Sequence, residues 1–238
     1  MSLYRDEGVV LRTLRLGEAD RIVTLLTRGH GKVRAVAKGV RRTRSKFGAR
    51  LEPLSHVNLL CWQGRELDIV NQAEVVDTFR RVREDLGRVA KAYTLLESVD
   101  QIAQEGHPNP RLHDMLVGAL RALADTDAAL LVPAFLLKTL ALEGSAPVLD
   151  RCVSCGSTDT LVAFDLVEGG VLCRRCRRGR PVSPEAIELL RRILGGGLVT
   201  VLQEPPGTLA TEVGELVTEA MEVHLDRRLR SAHAVPGP

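Results

Sequence analysis

At 238 residues the chain has room for one or two compact domains, and at that size roughly 70 to 75% of the unfolded surface can be buried without disulfides. A composition that is 45% hydrophobic and 26% charged excludes global disorder, and no run of 18 apolar residues exists to span a membrane. The net charge of +3 conceals an asymmetry: residues 28–50 hold nine Lys or Arg and no acid, residues 173–180 hold five Arg and no acid, and the remainder is acidic. Concentrated positive charge points to a polyanionic partner.

The first six residues are polar, with no apolar segment behind them, so no secretory signal is expected and the cytoplasm is the expected location. Segments 8–16, 21–27, 32–38, 54–62 and 66–73 are short, rich in Val, Ile, Leu and Thr, and bounded by Gly, Pro or charged turns, which predicts five strands. Alternation is clearest from Lys32 to Lys38, where one face is basic or small and the other apolar. Five strands with a longer connection after the third match an OB-type barrel. From Phe79 the apolar period becomes helical, with Val82, Leu86, Val89, Tyr93, Leu96, Val99 and Ile102 on one predicted face. A second helix carries Leu112, Met115, Leu116, Ala119, Leu120 and Leu123. A third, over 127–143, is apolar nearly all round, and Pro133 should kink it or delay its start. Ser183-Pro184 reads as an N-cap and first helical residue, and a last helix is predicted from about 208 to 229, closed by Arg227-Arg228-Leu229-Arg230 and followed by a frayed tail. The predicted fold class is α+β: an OB-type domain over 1–78, a helical domain over 79–149, a four-cysteine module over 150–181 and C-terminal helices over 182–238 that pack on the helical domain.

Two features carry chemistry. Cys152, Cys155, Cys173 and Cys176 form a C-x2-C-x17-C-x2-C pattern, whose two knuckles can supply four thiolates to one tetrahedral Zn2+. A closed four-sulfur shell leaves no position for a reacting water, so one structural zinc per chain is expected. Cys61, alone on a predicted strand, reads as a small core residue. The stretch from Lys38 to Lys46 combines Gly, Thr and Ser with Arg41, Arg42 and Arg44, so a mobile backbone carrying phosphate-binding forks is expected. Phe47 is the one aromatic in this run, so affinity should come from backbone charge more than from base stacking. The carboxylates Glu18 and Asp20 read as turn or cap residues. No phosphate-cradling Gly-rich loop, nucleophile elbow or zinc-protease motif occurs, and no catalytic constellation is predicted.

Residues 17–27 (Gly-Glu-Ala-Asp-Arg-Ile-Val-Thr-Leu-Leu-Thr), Gly31-Lys32-Val33, Lys38-Gly39-Val40-Arg41-Arg42 and Leu51-Glu52-Pro53, in this order of parts and with the four cysteines, resemble the RecO family of bacterial recombination mediators and DNA repair proteins. The resemblance implies an OB-fold domain that binds single- and double-stranded DNA, annealing of complementary strands, including strands coated by single-strand-binding protein, and work with RecR to load RecA. It implies docking on the coat protein's acidic C-terminal tail, a nucleoid-associated location and no membrane partner. Candidate DNA contacts are Lys32, Arg34, Lys38, Arg41, Arg42, Arg44, Lys46 and Arg50, with a secondary basic cluster at Arg174, Arg175, Arg177 and Arg178. The alternatives are a zinc-ribbon RNA-binding or ribosome-associated factor, which the same parts would serve, and a nucleic-acid hydrolase.

Overall fold

The structure is a computed structural model that describes residues 2–43 and 45–234. Five strands, β1 (Leu3–Leu16), β2 (Asp20–Thr27), β3 (Gly31–Ala37), β4 (His56–Trp62) and β5 (Asp68–Asp77), close a barrel in the order β1-β2-β3-β5-β4. Neighbours are antiparallel except β3 and β5, which close the barrel in parallel at Ala35↔Asp68 and Val36↔Ile69. The OB-type N-terminal barrel expected from strand count is therefore present, followed by helices.

Strand β1 is longer than its apolar pattern predicts. Residues 3–9 pair with β4 and residues 8–16 with β2, so backbone pairing on both edges carries the polar Arg5-Asp6-Glu7 into the sheet. A register shift between Val10 and Arg12 lets Val9, Val10 and Leu11 all be buried in succession. Val10 joins Val23, Leu25, Val57 and Cys61 in the barrel core, while α2 and α3 pack against β1 from outside. Burial pushes the Cys61 thiol up to about 12, as suits a core residue. Gly31 sits in the left-handed region (φ 71°), and a Cβ there would lie 2.2 Å from the His107 carbonyl oxygen, so the β2–β3 turn admits no side chain.

Three helices complete the first of two compact units, residues 1–125: α1 (Arg80–Arg83), α2 (Leu86–Ile102) and α3 (Pro110–Asp125). The predicted first helix is broken because Asp85 accepts from the Arg88 amide and caps α2. This break shifts the helical phase. Leu86 is 85% exposed and Tyr93 is also exposed, while Ala92, Leu95, Leu96 and Val99 form the buried face.

The second unit, residues 126–238, contains α4 (Leu131–Leu142), β6 (Leu161–Asp165), β7 (Gly170–Cys173), β8 (Arg180–Pro181), α5 (Pro184–Leu194), α6 (Leu198–Val201) and α7 (Thr208–Leu225). Pro133 falls in the first turn of α4, where its missing N–H costs nothing, and α4 packs against α5 and α7. Helix α7 stops at Asp226, which is left-handed (φ 50°), so the arginines at 227, 228 and 230 lie outside it. The tail predicted to fray is pinned as far as it is described: Leu229 is buried, its amide donates to Glu222, and His233 meets Glu222 at 2.8 Å. Among the described residues no helix is long and apolar enough to cross a membrane.

Ser183 caps α5 by accepting from the Ala186 amide (3.1 Å), and its hydroxyl donates to Glu212. Ser183→Ala is expected to cost about 1 kcal/mol, read as a lower midpoint in urea denaturation of the full chain; an unchanged midpoint would deny the cap any contribution.

Candidate nucleic-acid interface and metal centre

The connection from β3 to β4 is anchored rather than loose. Val40, Phe47 and Leu51 are buried in the barrel core. The Gly39 amide donates to Asp20 Oδ1 at 2.7 Å, the Arg41 amide to the Ala19 carbonyl and the Ser45 amide to the Arg42 carbonyl. The mobile backbone expected from Gly, Thr and Ser is thus replaced by a pinned loop, because Val40 and Phe47 within the basic run and Leu51 just after it are drawn into the barrel. Asp20 has the capping role read from sequence, and Phe47, a core residue, offers no exposed stacking face.

The candidate DNA contacts divide into two groups. Lys32 and Arg34 lie on β3 facing acids: Lys32 Nζ donates to the Asp100 carbonyl (2.6 Å) with the Asp100 carboxylate 3.7 Å away, and Arg34 is 3.7 Å from Glu105. Their charge is largely answered within the unit. Lys38, Arg41, Arg42, Lys46 and Arg50 are exposed on the loop. Arg41 donates to the Gly17 and Glu18 carbonyls, Lys46 to the Asn71 carbonyl and Arg50 to the Lys46 carbonyl. None of the five meets a carboxylate among the described residues. Arg44 lies outside the described residues. Arg28, from the same basic run, is held in a two-bond pair by Asp114 (3.0 Å each), and that guanidinium draws the Asp114 carboxyl down to about 2.

The secondary cluster thins in the same way. Arg178 pairs with Asp165 (2.7 Å) and Glu168 (2.8 Å), and Arg180 with Glu215 and Glu219. Arg174, Arg175 and Arg177 remain exposed, with no acidic partner among the described residues. Sequence counting could not separate neutralised from free arginines, since the neutralising acids are 10 to 39 positions away.

The four cysteines converge. Cys152 and Cys155 lie on the loop before β6, Cys173 ends β7, and Cys176 follows in a short 3-10 turn. The four sulfurs lie within 4.8 Å of one another and none is in a disulfide. Cys155 and Cys173 sulfurs are 3.7 Å apart, close to the ~3.8 Å edge of a tetrahedron with ~2.3 Å metal–sulfur bonds. The Gly156 amide donates to the Cys152 carbonyl to close the first knuckle. A Cβ at Gly170 would lie 2.3 Å from Val153 and 2.8 Å from the Val148 carbonyl, so only glycine lets β7 approach that knuckle. Burial opposes ionisation of Cys152, but the backbone amides of Cys173, Cys155 and Ser154 outweigh it and hold its thiol down to about 6. The Ser157 amide favours the Cys155 thiolate, yet the three neighbouring sulfurs push that thiol up to about 11. Binding of a cation requires the thiols to release their protons. The donor set fits a soft, tetrahedral metal ion with a closed shell.

One cluster escaped the sequence reading. Glu7, His56 and His113 are also brought within 4.8 Å of one another. Their spacing of roughly 50 residues between successive members leaves no sequence motif.

Comparison with known families covers nearly the whole chain: residues 1–79 match the family model described as recombination protein O N terminal, and residues 83–233 the model described as recombination protein O C terminal.

Proposed function

The chain belongs to the recombination protein O family, with a role in DNA recombination and repair, and from that premise we propose that it binds DNA through the pinned β3–β4 loop and pairs complementary strands. The observation that carries this reading is the set of five exposed cations, Lys38, Arg41, Arg42, Lys46 and Arg50, with no acid answering them among the described residues, on a loop held by Val40, Phe47 and Leu51. Phosphate contacts of this kind are sequence-independent and act on single and double strands alike. Neutralising two backbones on one protein lowers their repulsion and raises their local concentration, and base pairing supplies the driving force. Lys32 and Arg34 have a lesser part, and Arg174, Arg175 and Arg177 offer a second cationic face.

The four-cysteine centre binds one Zn2+ in this reading and serves structure, holding the β6–β7 hairpin to its knuckles. In the cytoplasm the protein meets strands coated by single-strand-binding protein, whose acidic C-terminal tail it engages, and with RecR it assists loading of RecA. The alternative of a ribosome-associated RNA factor loses its support, since the barrel, helices and cysteines fall together within one recombination family.

The test is annealing of complementary oligonucleotides, bare and coated, without nucleotide. Annealing of both is expected, and faster pairing on coat protein that keeps its acidic tail. A requirement for ATP would refute the passive mechanism, and equal rates without the tail would remove the docking step.

A further inference from the structure

The Glu7, His56 and His113 cluster has features that a packed core does not explain. His56 begins β4 and is fully buried; His113, on α3, is 1% exposed. Buried imidazoles need partners for both ring nitrogens. His56 Nδ1 and His113 Nε2 nevertheless make no hydrogen bond among the described residues, and His56 Nε2 has Glu7 Oε1 at 2.7 Å as its partner. The two rings face each other at a tilt, with centroids 5.7 Å apart.

Histidine 113 is also oriented from behind. Its Nδ1 lies 3.2 Å from Asp114 Oδ1, and Asp114 is fixed by both Arg28 donors. With Nδ1–H donating to that carboxylate, Nε2 carries the lone pair. This carboxylate–imidazole relay is the arrangement that sets the tautomer of histidines bound to metal ions. Glu7, adjacent on β1 and 41% exposed, supplies an oxygen and a route from solvent.

We propose that Glu7, His56 and His113 form a second metal-binding site, taking a first-row divalent cation of the zinc class and tying α3 to strands β1 and β4. Bonds of ~2.0–2.1 Å from a tetrahedral ion place donors ~3.3 Å apart. Modest side-chain shifts reach that spacing, since His56 Nε2 and Glu7 Oε1 are 2.7 Å apart and every donor lies within 4.8 Å of the others. Two histidines and one carboxylate, all three from the first compact unit, leave a fourth position for water. The four-cysteine centre belongs to the other unit, so the two sites load independently.

The test is metal stoichiometry on the full chain, equilibrated with Zn2+ and separated from loosely held ion by gel filtration. Two zinc ions per wild-type chain are expected, one in Glu7→Gln and one in His113→Asn. Co2+ bound to Cys173→Ser should give visible d–d absorption without the sulfur-to-metal charge-transfer bands of a thiolate site. Zn2+ should raise the melting temperature of Cys173→Ser by several degrees through mass action, and adding Glu7→Gln should abolish the shift. One zinc in the wild-type chain overturns the proposal, and that measurement decides even if a variant fails to fold. A second zinc retained in both Glu7→Gln and His113→Asn overturns it as well, by placing the ion elsewhere.

Discussion

Replacing Cys173 with serine should empty the four-cysteine centre and unlock residues 150–181. Cys173 ends β7, and its sulfur is 3.7 Å from Cys155 on the other knuckle, so the substitution leaves three donors and an open shell. Apparent binding energies of about 10–16 kcal/mol for structural zinc sites are coupled to folding, which exceeds what strands of five, four and two residues can supply alone. The consequence reaches beyond the hairpin. Phe164 of β6 is buried and shares a cleft with Leu140 of α4 and Ala220 of α7, so a loosened module exposes that helical packing too. Elemental analysis should show one zinc per chain lost, and hydrogen exchange should show protection lost over 150–181 while β1–β5 keep theirs. Unchanged protection in a Cys173→Ser chain whose four-cysteine centre is empty would mean the module holds itself. Acid should release the ion from the wild-type chain, because all four thiolates must be free of protons to bind it.

Reversing the charge at Arg41 and Arg42 should weaken DNA binding on every sequence alike. With five phosphates neutralised by Lys38, Arg41, Arg42, Lys46 and Arg50, the slope of log K against log salt on single strands is expected near about −3.5. Removing two contacts brings it to about −2.1, which at 0.1 M salt corresponds to about a 25-fold loss of affinity. The repulsion of two new carboxylates adds to that loss. Arg41 and Arg42 are exposed and Arg41 bonds only carbonyls, so the double variant should melt with the wild type. Fluorescence anisotropy across a salt series measures both slope and affinity. A flat titration, or a loss confined to one sequence, would reject phosphate neutralisation by this loop. Lys32→Ala should change the slope far less, since Asp100 already occupies that ammonium.

What was legible in the sequence was whatever depends on local pattern. The alternating run of β3, the Ser183 cap and the cysteine knuckles each reflect neighbours a few positions apart, and the structure has them where expected. What was hidden depends on contacts across long separations. The first residues of β1 are strand because β4 lies beside them, not because Arg5-Asp6-Glu7 favour it. The segment after β3 looks flexible by composition, yet Val40, Phe47 and Leu51 anchor it in the barrel. Helix α2 keeps Leu96 and Val99 of the predicted face inward but turns Leu86 and Tyr93 out, because one aspartate restarts it. The pairing of Lys32, Arg178 and Arg180 with distant acids, and the meeting of Glu7, His56 and His113, follow from tertiary packing alone.

The parallel closure of β3 against β5 has a consequence for how the chain is made. During synthesis β1, β2 and β3 can form a meander as they emerge, but β1 waits for β4 and β3 waits for residues 68 and 69 before either edge is covered. Until then two strand edges stand open, with Val and Ala lining the face that later becomes core. Non-local closure of this kind is slow relative to helix formation, so the nascent barrel passes through a period in which it is prone to pair with other chains. Lys32 and Arg34, two positions apart on β3, point away from that face, and on ribosome-bound chains the repulsion between such charges would keep neighbouring unfinished barrels apart.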